Sequence, residues 1–434
     1  MPFEGRAGAP VLSGPALRLD YRKLVDGSVA VTVFCGAIAL VEPSPYDFAS
    51  IVAIALWALG GFRVGGTALL FIGLIGVYNF GGFVSLIPHL DEPLPTLFML
   101  QSLYLAITAV FFVLYFSEDT VQRTDQCLQA FTLGTLLAAV CGILGYFNVA
   151  GTGSLFSLYG RASGTFKDPN VLGSYLILGA LTLMQRLLLG RTRRPIVTTL
   201  GYLVVVAGVF LSFSRGSWLA FAIATALTTA LTYATAPTLR ARRHILTYVG
   251  LAAALAVLVI VGLLADSHIR SFFLERAAVT QDYDVGETGR FGNQLRSLDM
   301  LLDRVNGFGP LRFRLTFGLD PHNSYINAFA SYGWLGATAF FLLVGLTVFI
   351  GFRVAIVPSP YRRVAQVFWP ALLVFLLQGF QIDIDHWRHV YLMLAVVWAL
   401  EGARLRGAAA SRPPQAARVA SASFPTAERP VAVR

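Results

Sequence analysis

Long apolar runs dominate this sequence and restrict it to a helical membrane fold. About a dozen runs reach the roughly 20 apolar residues that a helix needs to cross a bilayer. We interpret each run as a helix, because a lone strand cannot satisfy its backbone hydrogen bonds in lipid. The predicted spans are residues 24–41, 47–62, 66–88, 96–116, 127–149, 171–190, 195–212, 216–234, 245–265, 334–352, 364–382 and 387–403. The predicted fold class is an all-α integral membrane protein with about 12 transmembrane helices.

The composition agrees with a chain that lies mostly in lipid. Charged residues make up 13% of the 434 residues, about half of their share in soluble domains. In a soluble protein the net charge of +10 would suggest nucleic acid. Here cytoplasmic loops that face anionic membrane lipids explain it better, so we expect no nucleic acid partner. All 3 cysteines lie in apolar runs, which argues against structural disulfides and cysteine-ligated zinc.

Arginine and lysine residues concentrate in every second loop, and such loops usually face the cytoplasm. Both termini are therefore predicted to be cytoplasmic: an N-terminal segment of residues 1–23 and a disordered tail of residues 404–434. Spans one to nine occupy residues 24–265, and spans ten to twelve occupy residues 334–403. The loop between them, residues 266–333, is predicted to lie outside the cytoplasmic membrane.

The loop of residues 266–333 is the long polar segment between the spans, and it contains many arginines and two histidines. We predict one short helix at residues 267–279 and a second, amphipathic helix at residues 289–305. The amphipathic helix is indicated by apolar residues at helical spacing, namely Leu295, Leu298, Leu302 and Val305. The loop is therefore expected to be a small folded cap rather than a flexible linker.

Polar clusters recur on the predicted outer face. Four of them are GRASGTFKDPN (160–170) with Arg161, Lys167, Asp168 and Asn170; SFSRGSW (212–218) with Arg215; TGR (288–290) with Arg290; and PHNSY (321–325) with His322 and Asn323. A fifth cluster, between the last two spans, contains Asp383, Asp385, His386, Arg388 and His389.

These residue types predict a cationic pocket with an imidazole at the outer boundary of the membrane. Arginine side chains pair with phosphate oxygens through two parallel hydrogen bonds and stay charged. Histidine titrates near neutrality and can take a proton from a hydroxyl group. A lipid-linked diphosphate would fit such a pocket, with the arginines stabilising it as a leaving group. No dense carboxylate cluster accompanies them, which argues against a metal-dependent transferase, and we expect no metal and no cofactor.

Each candidate residue also has a simpler structural interpretation. Arg161 and Lys167 can be interfacial anchors, Arg290 can be a surface charge of its helix, and His322 can be a loop or capping residue. Arg215 is harder to explain in this way, because a charge in so tight a turn is usually functional or paired. The fifth cluster is either a structural ion-pair network or part of a second wall of the pocket. The residues assigned to that second wall are Asp168, Asn170, Asn323, Asp385 and Arg388.

The pattern resembles the O-antigen ligase superfamily, which also contains O-antigen and exopolysaccharide polymerases. The matching pieces, in order, are GRASGTFKDPN, LSFSRGSWLA, the GR at 289–290, the G-x-G at 307–309 and HNSYINAFASYGWLG at 322–336. The long loop between spans nine and ten also matches. The resemblance extends from span five to span twelve.

This resemblance implies a metal-independent, inverting membrane glycosyltransferase of the bacterial cytoplasmic membrane. Its donor would be a glycan on undecaprenyl diphosphate. The histidine that matches His322 would act on the acceptor hydroxyl, and the arginines that match Arg215, Arg290 and Arg161 would hold the diphosphate. We add Lys167 as a substrate contact because of its place in the first motif. The acceptor would be lipid A–core for a ligase or a second lipid-linked repeat unit for a polymerase.

We predict a ligase-like enzyme, because a single dominant loop late in the chain is typical of the ligases. The polymerase stays open as the alternative, since the FKDPN form of the first motif resembles that of exopolysaccharide-type members. A transporter or flippase of lipid-linked sugar is the alternative from another class. Transporters usually contain internal repeats and bind their substrate near the bilayer midplane. This sequence has no evident repeat, and its ionisable residues lie at the predicted outer edge.

Overall fold

The computed structural model describes residues 20–277 and 289–410, and these residues are almost entirely helical. One short antiparallel sheet pairs β1 (Ser157–Leu158) with β2 (Arg161–Ala162). The helices are α1 (Tyr21–Cys35), α2 (Pro45–Leu59), α3 (Gly66–Leu86), α4 (Pro93–Phe116), α5 (Thr120–Tyr146), α6 (Gly153–Phe156), α7 (Pro169–Leu188), α8 (Pro195–Leu211), α9 (Arg215–Ala234), α10 (Leu239–Leu264), α11 (Ser267–Ala277), α12 (Arg290–Leu302), α13 (Phe313–Phe317), α14 (Ser324–Ile356), α15 (Arg362–Gln378) and α16 (Arg388–Ala410).

A helix overlaps each of the predicted spans, so the all-α fold class is confirmed. By length and composition, 7 helices of the described residues are suited to cross a membrane, namely α3, α4, α5, α7, α9, α10 and α14. Two further apolar helices, α2 and α8, are shorter. The chain is therefore a multi-pass membrane protein, and the count of twelve spans stays a prediction.

The tenth predicted span begins too late. Its helix, α14, starts at Ser324 rather than at residue 334, because Asn323 caps it: the Asn323 side chain accepts hydrogen bonds from the backbone N–H groups of Tyr325 and Ile326. At Gly333 the backbone leaves helical geometry, with φ 65° and ψ −177°. A glycine is required at this break, because a Cβ atom there would lie 2.8 Å from the carbonyl oxygen of Val305.

The last predicted span ends too early. Helix α16 continues to Ala410 instead of stopping at residue 403, so the first residues of the tail predicted to be disordered are helical. Leucine, arginine and alanine are strong helix formers, and the guanidinium of Arg404 donates two hydrogen bonds of 2.7 Å to the carboxylate of Glu401. The rest of that predicted tail, 411–434, and most of the predicted N-terminal segment lie outside the described residues.

Burial separates the centre of the bundle from its edge. Within its apolar window α7 is 89% buried, and it packs against α5, α8 and α9. The corresponding window of α10 is only 6% buried. Helix α7 is therefore central, and α10 lies at the periphery.

Two helices, α11 and α12, occupy the positions predicted for the cap. In an amphipathic helix the apolar face usually packs inward, but in α12 Leu295 and Leu302 are 71% and 65% exposed. The buried side chains are the polar Asn293, Gln294 and Ser297, together with Leu301 near the end of the helix. A helix is therefore present where the amphipathic helix is predicted, and it packs mainly through its polar face, which hydrogen-bonds to the segment that precedes α14.

Candidate functional site

Arg161 is buried and joins two of the predicted clusters. Its Nε donates a hydrogen bond of 2.8 Å to the carbonyl oxygen of Ser212, and its Nη2 donates one of 2.7 Å to Oδ1 of Asn170. The short β1–β2 pairing fixes the backbone at this arginine. Because Ser212 begins the turn that contains Arg215, the motifs GRASGTFKDPN and SFSRGSW meet at one point. We call the group Arg161, Asn170, Ser212 and Arg215 the arginine corner.

The N-terminus of α7 positions Asp168 and Asn170. The Asp168 side chain caps the helix by accepting a 2.6 Å hydrogen bond from the backbone N–H of Asn170, and Pro169 occupies the first helical position. The carbonyl oxygen of Asn170 accepts a hydrogen bond of 3.2 Å from Oγ of Ser217. Asp168 thus shapes the backbone, and Asn170 holds Arg161.

A tight turn between α8 and α9 places Arg215 at the first residue of α9. Phe213 has a left-handed backbone, with φ 45°, and the Ser214 side chain caps α9 by accepting from the backbone N–H of Ser217. Gly173 of α7 allows the turn to come close, since a Cβ atom at this position would lie 2.6 Å from Oγ of Ser212. The short loop expected around Arg215 is therefore present.

Lys167 pairs with an acidic residue of the segment between α1 and α2. Its ammonium group forms an ion pair of 3.2 Å with Glu42, in which the side chains are 53% and 54% exposed. Such a solvent-exposed pair contributes about 0–1 kcal/mol to stability. Lys167 therefore lies with the segment that joins α1 and α2.

His322 lies just before α14, beside an acidic residue of the fifth cluster. Its Nδ1 is 3.6 Å from Oδ2 of Asp383, and the backbone N–H of Asn323 donates a 3.0 Å hydrogen bond to Oδ1 of the same carboxylate. His322 has a left-handed backbone, with φ 44°, which non-glycine residues adopt at a cost in free energy. The side chain of His322 is 45% exposed and thus accessible to a substrate.

Burial and neighbouring acidic groups raise the pKa of Asp383. Burial and the neighbouring carboxylates of Asp385 and Asp320 raise the pKa of Asp383 to about 8, although the hydrogen bond from Asn323 acts in the opposite direction. A carboxylate crowded by like charges holds its proton more tightly. The charge beside His322 therefore changes in the neutral to mildly alkaline range.

Three other members of the fifth cluster, Asp385, His386 and Arg388, are paired with other side chains. The buried carboxylate of Asp385 accepts a 2.9 Å hydrogen bond from Nδ2 of Asn327 and lies 3.1 Å from Nδ1 of His386. Arg388 forms a two-pronged pair with Asp47 of α2, at 3.1 and 3.0 Å. The contacts of Arg388 are those of a structural ion pair between α16 and α2.

Two residues at the end of α15 connect the arginine corner to His322. Oε1 of Gln378 accepts a 3.1 Å hydrogen bond from Ser174, whose hydroxyl also lies 3.1 Å from that of Ser217. The next carbonyl oxygen, that of Gly379, accepts a 2.7 Å hydrogen bond from the backbone N–H of Ser324. The arginine corner and His322 therefore lie at the same end of the bundle.

Gln378 was not predicted as a site residue. The sequence feature that could have indicated it is a polar side chain inside an apolar run. Gln294 of α12 was also not predicted, and its Nε2 donates a 2.8 Å hydrogen bond to the carbonyl oxygen of Pro321. This contact holds α12 against the segment that contains His322. The same helix begins at Arg290, about one turn before Gln294; the side chain of Arg290 lies outside the described part of the structure.

The fold and the site together define a multi-pass helical membrane protein with arginines and a histidine gathered at one end of the bundle. Residues 200–341 match the family described as O-antigen ligase. This match confirms the resemblance to the O-antigen ligase and polymerase superfamily that the motifs predict. The matched segment contains Arg215, Arg290 and His322, whereas Arg161 precedes it. A comparison with curated proteins found no match.

Proposed function

We propose that this protein is a membrane glycosyltransferase that moves a glycan from undecaprenyl diphosphate to a sugar hydroxyl at the outer face of the cytoplasmic membrane. One observation carries the proposal: the contacts through Gln378 and Gly379 hold the arginine corner and His322 at the same end of the bundle. The match of residues 200–341 to the O-antigen ligase family supports a lipid-linked polysaccharide substrate.

In the proposed reaction the arginines bind the diphosphate of the donor. Arg161 is held from two sides by Ser212 and Asn170, so its guanidinium is oriented before the substrate arrives. Arg215 and Arg290 supply further positive charge. Fixed cations stabilise the charge that develops on the leaving diphosphate more effectively than water, which would have to reorganise. The proposed reaction therefore needs no metal ion.

His322 acts on the acceptor in this mechanism. An Nδ1–H directed at Asp383 leaves Nε2 to take the proton of the acceptor hydroxyl. The hydroxyl oxygen attacks the anomeric carbon on the side opposite the diphosphate. The bond from this carbon to the diphosphate oxygen breaks, and undecaprenyl diphosphate leaves with the electron pair. The configuration at the anomeric carbon is thereby inverted.

The acceptor that we favour is lipid A–core, which makes the protein a ligase. Joining one lipid-linked repeat unit to another, the reaction of a polymerase, is the second candidate, because the matched superfamily covers both activities.

A transfer assay distinguishes these functions. Purified protein is incubated with a glycan on undecaprenyl diphosphate and no added metal, with and without lipid A–core. We expect product only when lipid A–core is present. A ladder of longer lipid-linked glycans in its absence would identify a polymerase. No product under either condition, from folded protein and several donors, would contradict the proposed chemistry and favour transport of lipid-linked sugar.

A further inference from the structure

A second polar region lies at the opposite end of the bundle from the candidate site. Here the ends of α7, α9, α10 and α15 enclose a cavity of ≈ 450 Å³. Helix α9 runs from Arg215 at the arginine corner to Ala234 at this cavity, and α15 runs back from Arg362 to Gln378. A helix of this length spans about 30 Å, so the cavity is separated from the candidate site by about the thickness of a membrane.

Several positively charged side chains line the cavity. Its lining includes Arg240, Arg362, Arg363 and His244 and contains no acidic side chain. Within residues 20–277 and 289–410, none of these three arginines forms an ion pair with a carboxylate. We call this region the basic cavity. Clustered arginines without acidic partners favour an anion, and their planar forks suit phosphate oxygens.

One buried polar atom in the basic cavity lacks a hydrogen-bond partner among the described residues. Nε2 of His244 is buried and has no hydrogen-bond partner among the described residues. Thr235 and Thr238 lie beside it in the wall. A buried polar atom without a partner is unfavourable, because it has lost its hydrogen bonds with water. A phosphate oxygen in the basic cavity would supply the missing partner.

The other part of the lining is apolar and lies next to the edge of the bundle. Leu188, Leu189 and Ile245 contribute to the wall. Among the described residues of α10, Ile245 is the buried one, and the rest of that helix is largely uncovered. An acyl chain can therefore lie along α10 while a polar head group enters the basic cavity. This combination suits a membrane lipid better than a soluble anion.

General attraction between basic loops and anionic membranes is the simpler explanation. It requires only exposed charges, such as those of Arg193 and Arg194 in the neighbouring loop, which do not line the cavity. Arg362 differs from them, because it is half-buried and its Nη2 lies 3.5 Å from the carbonyl oxygen of Thr235. Arg362 is therefore part of the wall of a pocket, whereas Arg193 and Arg194 only add charge to the surface.

We propose that the basic cavity binds the phosphate head group of an anionic membrane lipid. Arg240 and Arg362 contact the phosphate oxygens, and His244 donates the hydrogen bond for which it has no partner within the described residues. The group that binds in the basic cavity is thus a phosphate ester, and it belongs to a membrane lipid.

Binding to purified full-length protein in a non-ionic detergent tests the proposal. The probes are phosphatidylglycerol, phosphatidylcholine and inorganic phosphate, each titrated and detected by native mass spectrometry. The variant Arg240→Gln with Arg362→Gln removes two charges from the basic cavity. The matched control, Arg193→Gln with Arg194→Gln, removes two charges from the adjacent loop. Loss of a charged hydrogen bond typically weakens binding by about tenfold or more. We expect at least that loss of phosphatidylglycerol affinity in the cavity variant and less than about twofold in the control.

Three results would overturn the proposal. Equal losses in the two variants would mean that only general surface charge matters. Equally tight binding of phosphatidylcholine would remove the role of an anionic head group. Binding of inorganic phosphate, but not of phosphatidylglycerol, would make the ligand a soluble anion. Matching elution profiles and melting temperatures verify folding, and the single variant Arg240→Gln, at an exposed position, replaces the double variant if the latter is unstable. The readout is lipid binding, so its failure leaves the proposed transferase reaction untouched.

Discussion

Among single residues, His322 has the most specific role in the proposed reaction. Replacing it with alanine removes the base but none of the diphosphate contacts. Transfer should fall by about 10²–10⁴-fold, while binding of the lipid-linked donor changes by less than about twofold. Turnover and donor binding are measured on the same preparation. His268→Ala, at an exposed position of α11, serves as the control and should keep full activity; undiminished transfer by His322→Ala would remove this residue from the mechanism.

Asp383 should determine part of the pH dependence. Its raised pKa, about 8, means that the carboxyl group is mainly protonated below that pH and ionised above it. The ionised carboxylate attracts the Nδ1–H of His322 across 3.6 Å, which leaves Nε2 free to accept the proton of the acceptor hydroxyl. The rate should therefore rise as the pH increases through about 8 in the wild type. In Asp383→Asn this rise should be absent while the Michaelis constant for the donor is kept.

A pH–rate profile of the two proteins checks this positioning role. The same rise in Asp383→Asn would show that another group titrates.

Arg215 should contribute to donor binding through the shape of its guanidinium. Arg215→Lys keeps the charge but loses the two-pronged contact with phosphate. We expect the Michaelis constant for the donor to increase by about tenfold or more. Lys167→Gln is the comparison, because Lys167 pairs with Glu42 at an exposed position, and we expect a change of less than about twofold. Unchanged donor affinity in Arg215→Lys would show that this residue is misassigned.

Among the helices, α12 has its polar face turned inward. Gln294→Ala removes the hydrogen bond to the carbonyl oxygen of Pro321, which is itself buried. The expected cost is about 1–3 kcal/mol of stability, together with reduced transfer, since His322 follows Pro321. Leu302→Ala, on the exposed face, should change stability by less than about 0.5 kcal/mol. Thermal melting in detergent measures the stability of both variants. A larger loss of stability in Leu302→Ala than in Gln294→Ala would mean that α12 packs through its apolar face.

The helices themselves were predictable, because lipid permits few alternatives to a helix for a long apolar run. The boundary at Ser324 was missed because polar residues after Asn323 looked like loop, although this asparagine is a helix cap. The packing of α12 through its polar face could not be predicted, because hydropathy counts apolar residues and does not include hydrogen bonds made to distant segments. The clusters GRASGTFKDPN, SFSRGSW and PHNSY could be found in the sequence. Their connection through Gln378 and Gly379 could not, because it consists of hydrogen bonds between distant segments.

At the scale of the whole molecule, the arginine corner and the basic cavity lie at opposite ends of one bundle. The alternation of basic loops predicts that the arginine corner faces outward and that both termini are cytoplasmic. The variants Ser267→Cys and Arg193→Cys test this with a membrane-impermeant maleimide. We expect labelling of Ser267→Cys in intact cells, and labelling of Arg193→Cys only after permeabilisation. Both positions are exposed in the structure, so the reverse pattern would invert the proposed orientation.

The proposed reaction releases the glycan from undecaprenyl diphosphate, and this release can be measured in proteoliposomes. Purified wild-type protein is reconstituted with a donor that carries a radiolabelled glycan, and lipid A–core is supplied. The labelled glycan on lipid A–core and the released undecaprenyl diphosphate are then quantified together. We expect the two products in equal amounts from the wild type and neither product from His322→Ala. Labelled glycan that crosses the vesicle membrane while still attached to its lipid, with no release of undecaprenyl diphosphate, would contradict the proposed reaction.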